Sequence, residues 1–283
     1  MRNWNLQSAA IAMFVSMTWG SNSPAIAQQP CDENSPRCSS VPVEVERGQR
    51  RPVIDGAGWV LAIPSKIMLW DRRALNHDVS DATVDEVATY LQRRQLTETK
   101  VRVNQYAPAD EWRRLTHNHR VAPGWRYTLG SLSWLQYTLV PGRLFGRDQY
   151  NPYTNSLYLY SDMPTLGIAE AAYAKDIQQR THPGTYAAVQ GLPLVALWHE
   201  TLATKEVVNY VALYGSSEQI EKVRHDLYAR YGIETAGAVS QVLPEGGSLF
   251  AIVGAVSGHV TAASENNFRR TRRSVAVKAD EHR

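Results

Sequence analysis

The sequence predicts an α+β fold, a small sheet packed with several helices. Two observations carry that expectation. Short alternating segments at Lys100–Gln105 and Leu157–Tyr160 read as strands. Between and after them lie longer segments with helical periodicity and recognisable start and stop signals.

The helices are signalled in order. Thr83 and Glu86 have capping-box spacing, and Val84, Val87, Ala88 and Leu91 follow at i, i+3, i+4 and i+7. Pro108 can open a short helix carrying Trp112 and Leu115. Asp162 and Pro164 open a helix to about Arg180, and Pro183-Gly184 breaks the chain. Pro193 starts a long helix through Tyr214, ended by Gly215. Ser216 and Gln219 cap the next, with Ile220, Val223, Leu227 and Tyr231 inward and Gly232 as its stop. Nearer the start, Gly58–Ile63 and Lys66–Trp70 are apolar runs around Pro64, expected to be strands meeting at a bend. The middle is aromatic (Trp125, Tyr127, Trp134, Tyr137, Phe145, Tyr150, Tyr153) and irregularly punctuated by Gly and Pro. It reads as a packed loop region, with a membrane-interface surface as the alternative.

The first 27 residues read as a cleavable secretory signal: Arg2, an apolar core from Ala9 to Trp19, and a small-residue site ending at Ala27. Residues 28–52 are polar and read as a flexible linker, 53–264 as the folded domain, and 265–283 as a basic disordered tail. The apolar stretch Leu249–Ala262 is short for a bilayer span, which needs about 20 residues. The mature chain is expected to be exported, periplasmic or in the cell envelope. Cys31 and Cys38 can pair there, or stay as thiols in the leader. Once Arg2 is removed, 29 basic residues face 27 acidic ones, which argues against a nucleic-acid partner. The chain shows no phosphate loop and no G-x-S-x-G elbow. Asp85-Glu86 and Asp110-Glu111 are expected on exposed helix starts, where the dipole favours them. His77 reads as a capping or bracing residue, His117 and His119 as surface loop residues and His259 as a packing residue of the Gly-rich stretch, while His182, His225 and His282 show no partner by spacing.

One segment, a strand feeding a helix from Asn151 through Asp176, has the local build of an H-E-x-x-H zinc site. It carries Ala169-Glu170-Ala171-Ala172-Tyr173 instead. From residues alone this is a helix with one Glu.

A wider set of segments resembles a family of exported bacterial proteins with a gluzincin-like zinc-peptidase core. The segments are Ile63-Pro-Ser-Lys-Ile-Met-Leu-Trp-Asp-Arg72-Arg73, Asn76-His77, Asn104-Gln-Tyr-Ala-Pro108, Glu111-Trp-Arg-Arg114, Gly124-Trp-Arg-Tyr-Thr128, Pro141-Gly-Arg-Leu-Phe145, Asn151-Pro-Tyr-Thr-Asn155 and Ala174-Lys-Asp176. The resemblance implies a zincin-like fold. It places lost metal ligands at Ala169 and Tyr173, a remnant general base at Glu170, and a remnant third ligand at Glu200 in Trp198-His199-Glu200-Thr201-Leu202-Ala203. His199 is a further metal-ligand candidate, because His199-Glu200-x-x-Ala203 is itself half of the motif. An alanine ligand position offers no donor, so the expectation is a pseudopeptidase without a cofactor. Its partners would be envelope proteins or peptides. Zinc enters only if His199, Glu200 and Glu170 converge in a rearranged site, as an active metallopeptidase. A membrane-peripheral protein with no cleft function is the third reading. Substrate and oligomeric state are not specified by the sequence.

Overall fold

The computed structural model describes residues 42–190, 193–242 and 247–280. The expected signal peptide, Cys31 and Cys38 lie outside the described residues.

Strand β1 (Val45–Arg47) comes first. It falls inside the segment expected to be linker, and it is held by parallel pairing to β2 (Lys100–Val103). Next come α1 (Pro52–Leu61) and α2 (Ile63–Leu69), bent by 53°. The expectation of strands here is corrected. Short apolar runs carry no decisive period, and a proline stands in the first turn of each helix, where its missing N–H costs nothing.

Helix α3 (Asp81–Arg93) begins one turn earlier than the Thr83 capping box suggested. Ser80 is the N-cap and accepts from the Thr83 N–H. Its inward face is Val84, Val87 and Leu91, as expected. Helix α4 (Pro108–His117) follows β2. The aromatic middle is helical rather than a loop region. Short α5 (Pro123–Trp125) runs through a π turn (Arg126–Gly130) into α6 (Ser131–Leu139), and α7 (Gly142–Phe145) follows.

Strands β3 (Gln149–Asn151) and β4 (Ser156–Leu159) form a hairpin. The sheet order is β1-β2-β4-β3, parallel except for β3. All four residues of β2 are buried on both faces, Arg102 included. Arg102 is sustained by carboxylates: its Nε donates to Glu111 at 2.5 Å, its Nη1 to Glu46 at 2.8 Å, and its Nη2 to Asp110. Glu111 also accepts from Ser156 and Tyr158. The expectation that Asp110-Glu111 merely faces solvent at a helix start is thereby corrected: Glu111 is 1 % exposed.

Helix α8 (Pro164–Gln178) is the central element, packed on α3, α10 and the β3–β4 hairpin. Its small residues allow close approach. A Cβ at Gly167 would stand 2.6 Å from a Val87 methyl. Helix α9 (Pro183–Gln190) starts where Pro183-Gly184 was expected only to break the chain. Helices α10 (Pro193–Tyr214) and α11 (Ser217–Val242) follow. The Ser216–Gln219 capping box forms as expected. Gly232 does not end α11. It lies against α12 (Gly247–Asp280), where an added Cβ would sit 1.9 Å from the Gly254 carbonyl oxygen. The expected disordered tail continues this helix. Arg270 pairs with Glu221 of α11, and Arg269 with Glu265 one turn back.

Candidate binding cleft

Helices α2, α8, α9, α10 and α11, with strand β3, line an open cavity of about 440 Å3. Ala169, Glu170, Tyr173, His199, Glu200 and Ala203 all line it. Every position singled out for a degenerate metal site therefore reaches one cleft, from two helices 30 residues apart in sequence.

The central cation of the cleft is a side chain the sequence reasoning passed over. Arg230, on α11, directs one nitrogen, Nη2, at both carboxylates, 2.5 Å from Glu170 Oε1 and 3.0 Å from Glu200 Oε1. Burial works against the Arg230 charge, but Glu200, Glu170 and Glu234 outweigh it and hold its pKa above the ordinary arginine value. Helical spacing alone gives Arg230 as a polar neighbour of Leu227 and Tyr231. Asking which cation could balance a buried and a half-buried glutamate would have singled it out.

Glu170 has no free oxygen. Its second oxygen, Oε2, accepts the backbone N–H of Tyr150 on the edge strand at 2.9 Å. Ala169 is 2 % exposed and has only a methyl group to offer. Tyr173 stacks edge-on to His199 with ring centroids 4.1 Å apart. Burial first, then the charge of Glu170, raises the Tyr173 phenol well above its ordinary pKa.

His199 is engaged at one nitrogen. Its Nδ1 lies 2.8 Å from Gln190 Nε2 and 3.3 Å from Asp176 Oδ2. Asp176 also accepts from Tyr186 at 2.6 Å. Burial alone would raise its pKa, but His199, Tyr186 and Arg180 together lower it. His199 Nε2 is buried without a protein partner, as are Gln190 Oε1 and Asp148 Oδ2, and all three residues line the cleft. Asp148 Oδ1 accepts the N–H groups of Tyr160 and Ser161, at 2.6 and 3.0 Å. Burial pushes its carboxyl up to about 6.

Among the described residues, no three His, Cys, Asp or Glu side chains are placed to hold a metal ion. The donor set does not fit zinc: one ligand position is a methyl group, and both carboxylates are committed to a guanidinium. A four-coordinate zinc site needs three or four such donors.

The remaining histidines sit elsewhere. His77 is buried beside Asn104, and burial lowers its pKa. His117 bonds the Arg113 carbonyl, and His119 lies near Arg126. His225 and His259 meet at 3.1 Å between α11 and α12, with His259 also on the Met68 carbonyl. Comparison of the chain with family models, curated proteins and solved structures gives no match in any of the three.

Proposed function

We propose that this is an exported, zincin-like pseudopeptidase, a protein that keeps a peptidase-type cleft for binding and has an arginine where the enzyme would have its metal. One observation supports the reading above the rest. A single guanidinium nitrogen bridges Glu170 and Glu200, the two acids the resemblance assigns to base and ligand. A fixed cation satisfies both charges without an open coordination position, so no water is activated there.

The ligand such a cleft suits is a peptide segment with a basic or amino group. Four carboxylates line the cavity (Asp148, Glu170, Glu200, Glu234) against two arginines (Arg147, Arg230). Tyr150, Tyr153 and Tyr173 add aromatic surface. The unpartnered atoms of Asp148, Gln190 and His199 offer hydrogen bonds that a bound group can complete.

The rearranged, active metallopeptidase is the second reading. The carboxylate behind His199 favours it, because metal-binding histidines commonly have such a partner. The engagement of both glutamates by Arg230 speaks against it.

Elemental mass spectrometry of the dialysed protein separates the two. The proposal expects essentially no zinc and no cleavage of unfolded protein substrates. About one zinc per chain would overturn it. The variant Ala169→His/Tyr173→His/Arg230→Ala is expected to gain zinc through the two new imidazoles and Glu200. The version retaining Arg230 is expected to gain far less.

A further inference from the structure

A second surface, on the side chains of α1, α2, α7 and α12 that do not line the cleft, has an unusual composition, although Ser65, Met68 and Leu69 of α2 do line it. Helix α1 packs on α7 and on α2, and α2 packs on α12. Along this series Val60, Ile67, Trp70, Phe145, Val256 and Val260 are each more than half exposed, with Trp70 at 74 %. The Trp70 ring meets His259 of α12, centroids 5.1 Å apart, so α2 and α12 join at this point.

The charges of α1, α2 and α7 point inward. Asp55, the one acid between residues 52 and 70, pairs with Arg143 of α7, whose side chain is 6 % exposed. Lys66, the one base in that stretch, is buried and donates to the Leu75 carbonyl at 3.0 Å. Residues 249–262 of α12 contain no acid, lysine or arginine. Charge returns at the ends of the α1–α2 stretch, as exposed Arg50 and Arg51 before it and exposed Arg72 after it. Arg50 has a partner, Asp78, that is itself exposed.

The α1–α2 pair meets the length and hydropathy expected of a membrane span, yet it is bent by 53°. At 1.5 Å per residue, the 10 and 7 residues of α1 and α2 reach about 15 and 10 Å. Neither crosses a hydrocarbon core of about 30 Å. Apolar helices of this length, carrying tryptophan and bordered by arginines, suit the plane of an interface.

We propose that the face formed by α1, α2, α7 and the apolar half of α12 docks on the surface of an anionic lipid bilayer. The aliphatic and aromatic tips enter the headgroup boundary, while Arg50, Arg51 and Arg72 meet lipid phosphates. This reading is independent of the cleft and of its metal content.

The test is co-sedimentation with vesicles of phosphatidylcholine containing about 30 mol % phosphatidylglycerol. It uses the chain lacking residues 1–27, which keeps every described residue. We expect binding that weakens in high salt and with pure phosphatidylcholine. Ile67→Glu/Trp70→Glu should weaken it by on the order of tenfold or more. Both side chains are exposed, so the far-ultraviolet circular dichroism of the variant should be unchanged. Arg51→Glu/Arg72→Glu, which leaves the apolar face intact, should lose only the anionic-lipid component. Absence of wild-type binding overturns the proposal, as does a folded Ile67→Glu/Trp70→Glu variant that binds like wild type. If instead the wild type is a dimer that binds no vesicles and the same variant makes it monomeric, the face joins two copies of the chain and the proposal fails.

Discussion

Replacing Arg230 by methionine keeps most of the side-chain volume and removes the charge between Glu170 and Glu200. Both oxygens bond one nitrogen, at 2.5 and 3.0 Å, so they are no more than about 5.5 Å apart. Without the guanidinium, two carboxylates at that separation repel by roughly 3 kcal/mol at an effective dielectric of about 20. Removing one partner of a buried ion pair costs about 3–5 kcal/mol by general experience, so the two routes agree. The loss should depend on pH. In the variant, mutual repulsion and burial disfavour the doubly charged pair relative to the unfolded chain, so the folded state favours protonation there. A group with a raised folded pKa favours folding fully below its unfolded pKa, and loses that contribution as pH rises through the folded value. The Arg230→Met deficit should therefore be small near pH 4 and grow to its full size by about pH 7.5. Urea unfolding followed by tryptophan fluorescence measures it as a shift in midpoint at constant slope. Adding Glu170→Gln and Glu200→Gln to the variant should remove the pH dependence. A variant as stable as wild type at pH 7.5, or one whose deficit is flat with pH, would refute the charge-balance account of the cleft.

Other outcomes follow from the same structure. Asp148 is raised to about 6 by burial, so its stabilising contribution is fully present below its unfolded pKa and lost as pH rises through about 6. Asp148→Asn should flatten that part of the stability–pH profile, by on the order of 3 kcal/mol between pH 4 and 8. Gly232→Ala forces a methyl group against the Gly254 carbonyl and should lower the unfolding midpoint by the equivalent of about 1–3 kcal/mol or more. Ser216→Ala removes the acceptor of the Gln219 N–H and should cost about 0.5–2 kcal/mol, measured in the same urea assay.

What the sequence made legible is what local chemistry decides. Strand β4, the helices opened by Pro108, Pro164 and Pro193, and the Ser216–Gln219 capping box stand where their own residues place them. Where local signals were ambiguous, tertiary context decided. The runs around Pro64 are apolar on all sides and so carry no period. β1 is three residues long and exists only through its pairing with β2. Gly232 looks like a stop signal but serves a helix crossing, which is visible only when α12 is in place. In the cleft, the positions 169, 170, 173, 199 and 200 were found as points of a pattern. Arg230 was not, because its meaning lies in two glutamates 60 and 30 residues before it. Asp148 and Gln190 belong to no motif, and their unpartnered atoms become evident only once burial is known.

The bond from the Tyr150 N–H to Glu170 has a consequence for self-association. Strand β3 is the outer strand of the sheet, and an outer strand offers its unpaired N–H and C=O groups to any other chain that can extend alongside. At Tyr150 that donor is already taken by a buried carboxylate, and the strand is only three residues long. The opposite edge, β1, is equally short and carries Glu46 and Arg47. Glu170 thus serves as a guard on the sheet. It removes one donor from an edge that could otherwise template cross-β growth.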